Sequence, residues 1–151
     1  MKKLEAIMQF SNFVKTLAIC FLFITNVSAK EIVIGDKLFI ATLNDIYTNL
    51  EEEYKDDTVT FEGNLSMGQF DDPEYEGQEF PFVYRMGPGC CYNDVFAGMY
   101  LEYKGQIPPE DTWVRVSGKP YYFEHNGFTD LFLKVEKLTP LKEKGMFTVK
   151  D

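Results

Sequence analysis

The spacing of apolar and polar positions changes character three times along the chain. "TLAICFLFITNV" (16–27) is a nearly unbroken apolar run. "EIVIG" (31–35) is a short apolar piece fit to pair as a leading strand. In "TLNDIYTNLEEEY" (42–54), Leu43, Ile46, Tyr47 and Leu50 fall at i, i+3, i+4 and i+7, one face of a helix. This predicts an amphipathic helix over about 43–54. Thr42 and Asp45 read as its capping box, and Glu51–Glu53 as a solvated tail where negative charge gains nothing from the helix dipole.

From Asp57 the period becomes two. "TVTFEGNL" (58–65) alternates Val59, Phe61, Gly63 and Leu65 with polar neighbours, a half-buried strand. "QEFPFVYRM" (78–86) is a second strand, with Pro81 marking an edge or bulge. "VFAGMYLEY" (95–103) is a third, where Gly98 allows the bend that a small barrel needs. "TWVRVSGK" (112–119) and "DLFLKVEKLTPL" (130–141) are a fourth and fifth. Asn126-Gly127 between them is a hairpin turn signal, and the tail from Lys142 is expected to add an edge strand or fray. One helix followed by five strands predicts a mainly β domain, a small OB-like antiparallel barrel. A β-sandwich is the alternative, and the pattern fits both.

The apolar run at the start sets the compartment. Lys2, Lys3 and Lys15 precede it, and Val27 and Ala29 are small residues before a cut. This is the layout of a cleaved secretory signal over residues 1–29. The run falls short of the ~20 residues that a membrane span takes, so no stable membrane insertion is expected after signal removal. Ile19 before Cys20, with apolar residues after it, speaks against lipidation. Residues 30–151 then form one extracytoplasmic domain, periplasmic or secreted.

Charge narrows the partners. Residues 1–29 hold three lysines and one glutamate, so of 15 basic and 24 acidic residues, 12 and 23 stay behind, a net charge of −11. Such a surface repels phosphate backbones, which excludes nucleic acid as the main ligand. It favours cations or a basic partner. The acidic stretch Asp71, Asp72, Glu74, Glu76 lacks EF-hand spacing and reads as a solvated loop. "NLS" at Asn64 is a formal glycosylation triplet.

The chemistry concentrates in "RMGPGCCYND" (85–94). Cys90 and Cys91 are the two cysteines outside the signal. A disulfide between neighbours is strained, because a trans peptide holds their Cα atoms ~3.8 Å apart while disulfides prefer ~4.4–6.8 Å. It would be easily reduced, which keeps a thiol-redox role open. On a regular strand the two side chains point apart, but Gly87-Pro88-Gly89 imposes a turn in which both thiolates can converge. Asp94 stands three residues beyond, and His125 is the single histidine, so Cys90, Cys91, Asp94 and His125 form a candidate ligand set for zinc. One cysteine packed in the core and one half-exposed is the plainer alternative. A cysteine nucleophile would have His125 alone as its base, and no motif fixes that pairing, so no enzyme is expected. A third reading is a protein- or glycan-interaction domain built on Tyr121, Tyr122 and Phe123.

"VYRMGPGCCYND", "TWVRVSGKP" and "LFLKVEKLTPL" together resemble the C-terminal domain of an uncharacterised bacterial family, whose members look like accessory subunits encoded beside a membrane permease. Arg85, Met86, Cys90, Cys91, Asp94, Trp113, Val114, Val116 and Gly118 match the pattern. The resemblance spans about Asp57 to Leu141. It implies an accessory binding module with an association to zinc handling, a permease or other envelope protein as partner, and Arg85 and Trp113 as partner-binding residues.

Overall fold

The computed structural model describes residues 29–87 and 95–150. The expected signal peptide lies outside them except for Ala29. The elements are β1 Glu31–Ile34, α1 Phe39–Asn49 running into a π-helical turn Leu50–Tyr54, β2 Thr58–Gly68, β3 Phe80–Gly87, β4 Val95–Glu102, β5 Trp113–His125 and β6 Phe128–Pro140.

Five strands close on themselves. β2 pairs antiparallel with β3 (Asn64 opposite Tyr84) and, on its other edge, with β5 (Val59–Asn64 against Gly118–Trp113). β3 pairs with β4, β4 with β6, and β6 returns to β5. Counted from the first barrel strand, the order is 1-2-3-5-4-1, the Greek-key circuit of an OB-like barrel. One junction departs from the antiparallel expectation. β4 and β6 run parallel over Tyr100–Glu102 and Phe132–Lys134. Because the circuit places β6 beside β4, with the β5–β6 hairpin reversing just before it, the two strands meet in the same direction. β1 also pairs in parallel, alongside Thr58–Phe61 of β2.

Alternation along each strand fills the interior. Val59, Phe61, Leu65, Val83, Met99, Leu101, Val114, Val116, Leu131 and Leu133 form one buried cluster. α1 contributes Phe39, Leu43 and Ile46, and the π-helical turn Leu50, so the apolar stripe begins a turn earlier than the pattern predicts. Burial of Phe39, edge-on to Phe61 at 6.0 Å, draws the helix start forward. Thr42 therefore lies inside the helix, its N–H bonded to the Leu38 carbonyl at 2.8 Å, and no side chain caps the N-terminus. Tyr47, counted with the apolar face, stays partly exposed and donates to the Thr129 carbonyl at 3.1 Å. The glutamates at 51–53 are exposed, as expected of a solvated tail.

The Asn126-Gly127 signal is a two-residue turn with positive φ at both positions (44° and 79°), the requirement of a type I′ hairpin. It lets β5 and β6 zip from His125–Phe128 onward, so both strands run through the stretch read as a connection. Between Ser117 and Gly118 the register slips by a bulge, and bulges bend the strand that carries them. Gly98 is the other tight point: a Cβ there would collide with the Val83 carbonyl oxygen and the Tyr84 backbone. The tail adds a bridge to β3. Beyond Tyr84 the β2 edge of β3 is vacant, and Met86 N–H bonds Phe147 O at 2.9 Å while Val149 N–H bonds Met86 O at 2.8 Å. Asn64 is buried within β2, which removes its triplet from a folded acceptor site.

Two outcomes follow from this packing. Gly98→Ala forces β3 and β4 apart and should lower stability by about 1–3 kcal/mol in urea denaturation, the usual cost of overpacking. Tyr54 donates its phenol proton to Asp45, and that bond, then burial, pushes its pKa up to about 12. A raised folded-state pKa contributes stability below the unfolded value of ~10, lost as pH rises through the folded value. Alkaline difference spectroscopy should show late-titrating phenols, one of which returns toward ~10 in Asp45→Ala.

Candidate functional site

β3 and β4 have opposite chemistry on their two faces. Inward lie Val83 and Arg85, with Ala97, Met99 and Leu101. On the other face, Phe82 stands opposite Tyr100, Tyr84 opposite Gly98, and Met86 opposite Phe96. The rings form a continuous row. Phe82 and Tyr84 lie nearly parallel, 8° apart at 5.5 Å. Phe82 meets Tyr100 at 4.7 Å, and Tyr84 meets Phe96 at 5.1 Å and Phe147 at 5.8 Å. Phe96 is 62% exposed and Phe147 42%. With Gly98 contributing no side chain, the row leaves a groove of about 510 Å³, bordered also by Ser66, Met67, Leu131 and Asp130. That volume lies within the ~300–1,000 Å³ of ordinary ligand pockets.

A second aromatic group is closed. Residues 69–79 fold over the outside of β5 and β6 and lay Phe70 against Phe80, Phe123 and Phe132 (4.9, 5.9 and 6.1 Å). His125 belongs here. Its ring lies 4.1 Å from Phe70, its Nε2 meets Asp130 Oδ2 at 2.6 Å, and its Nδ1 faces Asp72 Oδ2 at 3.8 Å with no hydrogen-bond partner. Asp72, expected in a solvated loop, is buried and accepts the Glu74 N–H at 2.9 Å. Tyr121, Tyr122 and Phe123, expected as an interaction surface, are mostly engaged. Tyr121 packs on Phe132 at 5.7 Å, and burial, then a hydrogen bond to Glu102, raises its pKa. Tyr122 donates to the Tyr47 carbonyl, and Phe123 lies 4.5 Å from Phe132.

Arg85 and Trp113, expected as partner contacts, lie 2% and 1% exposed. The Arg85 guanidinium sits over the Phe39 ring at 4.8 Å and the Trp113 ring at 5.3 Å. It donates to the Glu62 carbonyl at 2.6 Å and pairs with Asp36. The Trp113 indole N–H reaches Glu62 Oε2 at 3.3 Å, and Glu62 also holds Arg115. This cluster ties β2, β3, β5 and the chain before α1 together.

Cys90, Cys91 and Asp94 lie outside the described residues. The segment that carries them leaves β3 at Gly87 and re-enters at Val95, beside Phe96. His125 packs near Phe80, at the opposite end of β3, seven residues or roughly 23 Å away along an extended strand. Among the described residues no three His, Cys, Asp or Glu side chains gather around a metal position. The open aromatic row escaped sequence reading, although "FPFVY" and "VFAGMY" carry its alternation in plain view. The same alternation in "PYYFEH" marks rings that are covered, and only the fold tells the two apart.

Fold and surface define a small OB-like barrel with a partly open aromatic face on β3 and β4. The profile of the DUF1980 C-terminal domain matches residues 23–145, and the chain belongs to that family. A comparison with curated proteins gave no match.

Removing the buried cation tests its structural role. Arg85→Met leaves the Glu62 carbonyl unpaired and forfeits both ring contacts, at a cost of about 2–4 kcal/mol. Urea denaturation should show that loss, and a variant as stable as the parent would contradict the arrangement.

Proposed function

We propose that this chain is an exported, non-enzymatic accessory module that holds its ligand on the outer face of β3 and β4. The observation that carries the reading is the half-open row of Phe82, Tyr84, Phe96 and Tyr100 around a groove. In OB-like barrels the second and third barrel strands are the usual binding face, and here those strands are β3 and β4. Contiguous rings left open to solvent mark interaction sites. The basic, apolar start of the chain supports export, and the family resemblance supports service to a membrane permease. In sequence Cys90 and Cys91 fall between β3 and β4, which keeps a thiol or zinc contribution within the reading.

The test is a thermal-shift screen of the purified protein with organic cations, sugars, short peptides and Zn²⁺. At least one class should raise the melting temperature. The shift should vanish in Phe82→Ala, Phe96→Ala and persist in Val33→Ser, at an exposed position on β1 that lines the other groove. A zinc shift that survives the face variant and disappears in Cys90→Ser, Cys91→Ser would move the function to the thiol pair. No shift with any class, or one indifferent to both variants, would count against the module.

A further inference from the structure

The two large grooves of the barrel differ in charge. The one over β1, β2 and β5 is lined by three acids and three bases, Glu31, Asp36, Glu62, Arg85, Arg115 and Lys137, and is balanced. The aromatic groove over β3 and β4 has no lysine or arginine in its lining, and its single charged residue is Asp130. Asp130 stands on β6 beside Tyr100, half exposed, with one carboxylate oxygen held by His125. The faces of Phe and Tyr rings carry partial negative charge and attract cations. Rings and carboxylate therefore favour the same sign of ligand, within a chain whose overall charge is −9. A phosphate or carboxylate ligand would meet only repulsion there. A sugar would gain from the rings but leave the carboxylate without a matched charge. Burial, then the nearness of Asp130, raises the Tyr100 pKa, so its phenol stays neutral.

We infer that the groove between Phe82, Tyr84, Phe96 and Tyr100 binds an organic cation, its ammonium or methylated ammonium head seated over the rings beside Asp130. This rests on the reading of the β3–β4 face as the ligand site, and it names the ligand's class.

The probes are choline and 3,3-dimethylbutan-1-ol, which share a shape and differ by the charge. Calorimetric titration of the purified protein should show choline binding at least about tenfold more tightly than the neutral alcohol. Phe96→Ala, at an exposed position where folding is not at stake, should weaken choline severalfold. Asp130→Asn keeps the shape beside His125 and should weaken it similarly, with circular dichroism confirming the fold. Raising the salt should reduce choline binding in the parent and less so in Asp130→Asn. Equal binding of choline and the alcohol, or no choline binding, overturns the inference. A neutral sugar that binds and is lost in Phe82→Ala, Phe96→Ala would overturn the cation while leaving the face as the ligand site.

Discussion

The structure depends on one change of partner along β2. Its first half pairs with β1 on the edge where its second half pairs with β3, while β5 follows the other edge across the middle. At the crossing, Glu62-Gly63, no strand continues the first edge, and Arg85 fills the place by donating to the Glu62 carbonyl. Buried charge is costly unless it is paired and hydrogen-bonded. Arg85 meets that condition with Asp36 and the carbonyl, and Phe39 and Trp113 offer their rings. The helix seat, the barrel seam and the β5 entrance thus share one cation. A sequence motif of Arg and Trp 28 positions apart is, in the fold, a single contact.

That seam divides the labour between the two faces of β3. Arg85 and Val83 point inward and stabilise. Phe82 and Tyr84, one residue away on each side, point outward and cannot contribute to the same core. Period-two alternation makes the division strict. An aromatic residue on the outward row must find a cover or stay open. Residues 69–79 cover the row on β5 and β6. On β3 and β4, Phe80 and Tyr100 reach Phe70 and Phe132, while Phe82, Tyr84 and Phe96 meet one another, Tyr100 and the tail's Phe147.

Much of this was legible. The change from helical to period-two spacing placed the helix and all five barrel strands, and Asn126-Gly127 placed the hairpin because only residues tolerant of positive φ fit that turn. The helix start was not legible, since Phe39 joins the stripe only through a core that exists after folding. Nor was the parallel β4–β6 junction, which follows from closure rather than from either strand's own residues. Site reading fared differently. Arg85 and Trp113 stand out by type, yet type does not report burial, and their signal is structural. His125 drew notice as the lone histidine, and the fold carries it to the far end of β3, among rings and two aspartates.

The aromatic share of the chain, 16%, exceeds what one small barrel interior takes. Of the interior cluster only Phe39 and Phe61 are aromatic, so the surplus lies outside the barrel. A covered surplus is explained by packing: Phe70 and Phe132 bury one another's area at ordinary hydrophobic gain. An open surplus is not, because exposed rings in one contiguous patch lower solubility without adding stability. On an acidic chain such a patch is tolerated only where repulsion between copies keeps them apart. The same negative field that permits the open rings also selects what settles on them. Charge and aromaticity, read separately in the sequence as solubility and core, meet on the β3–β4 face, and the proposed ligand site rests on their meeting.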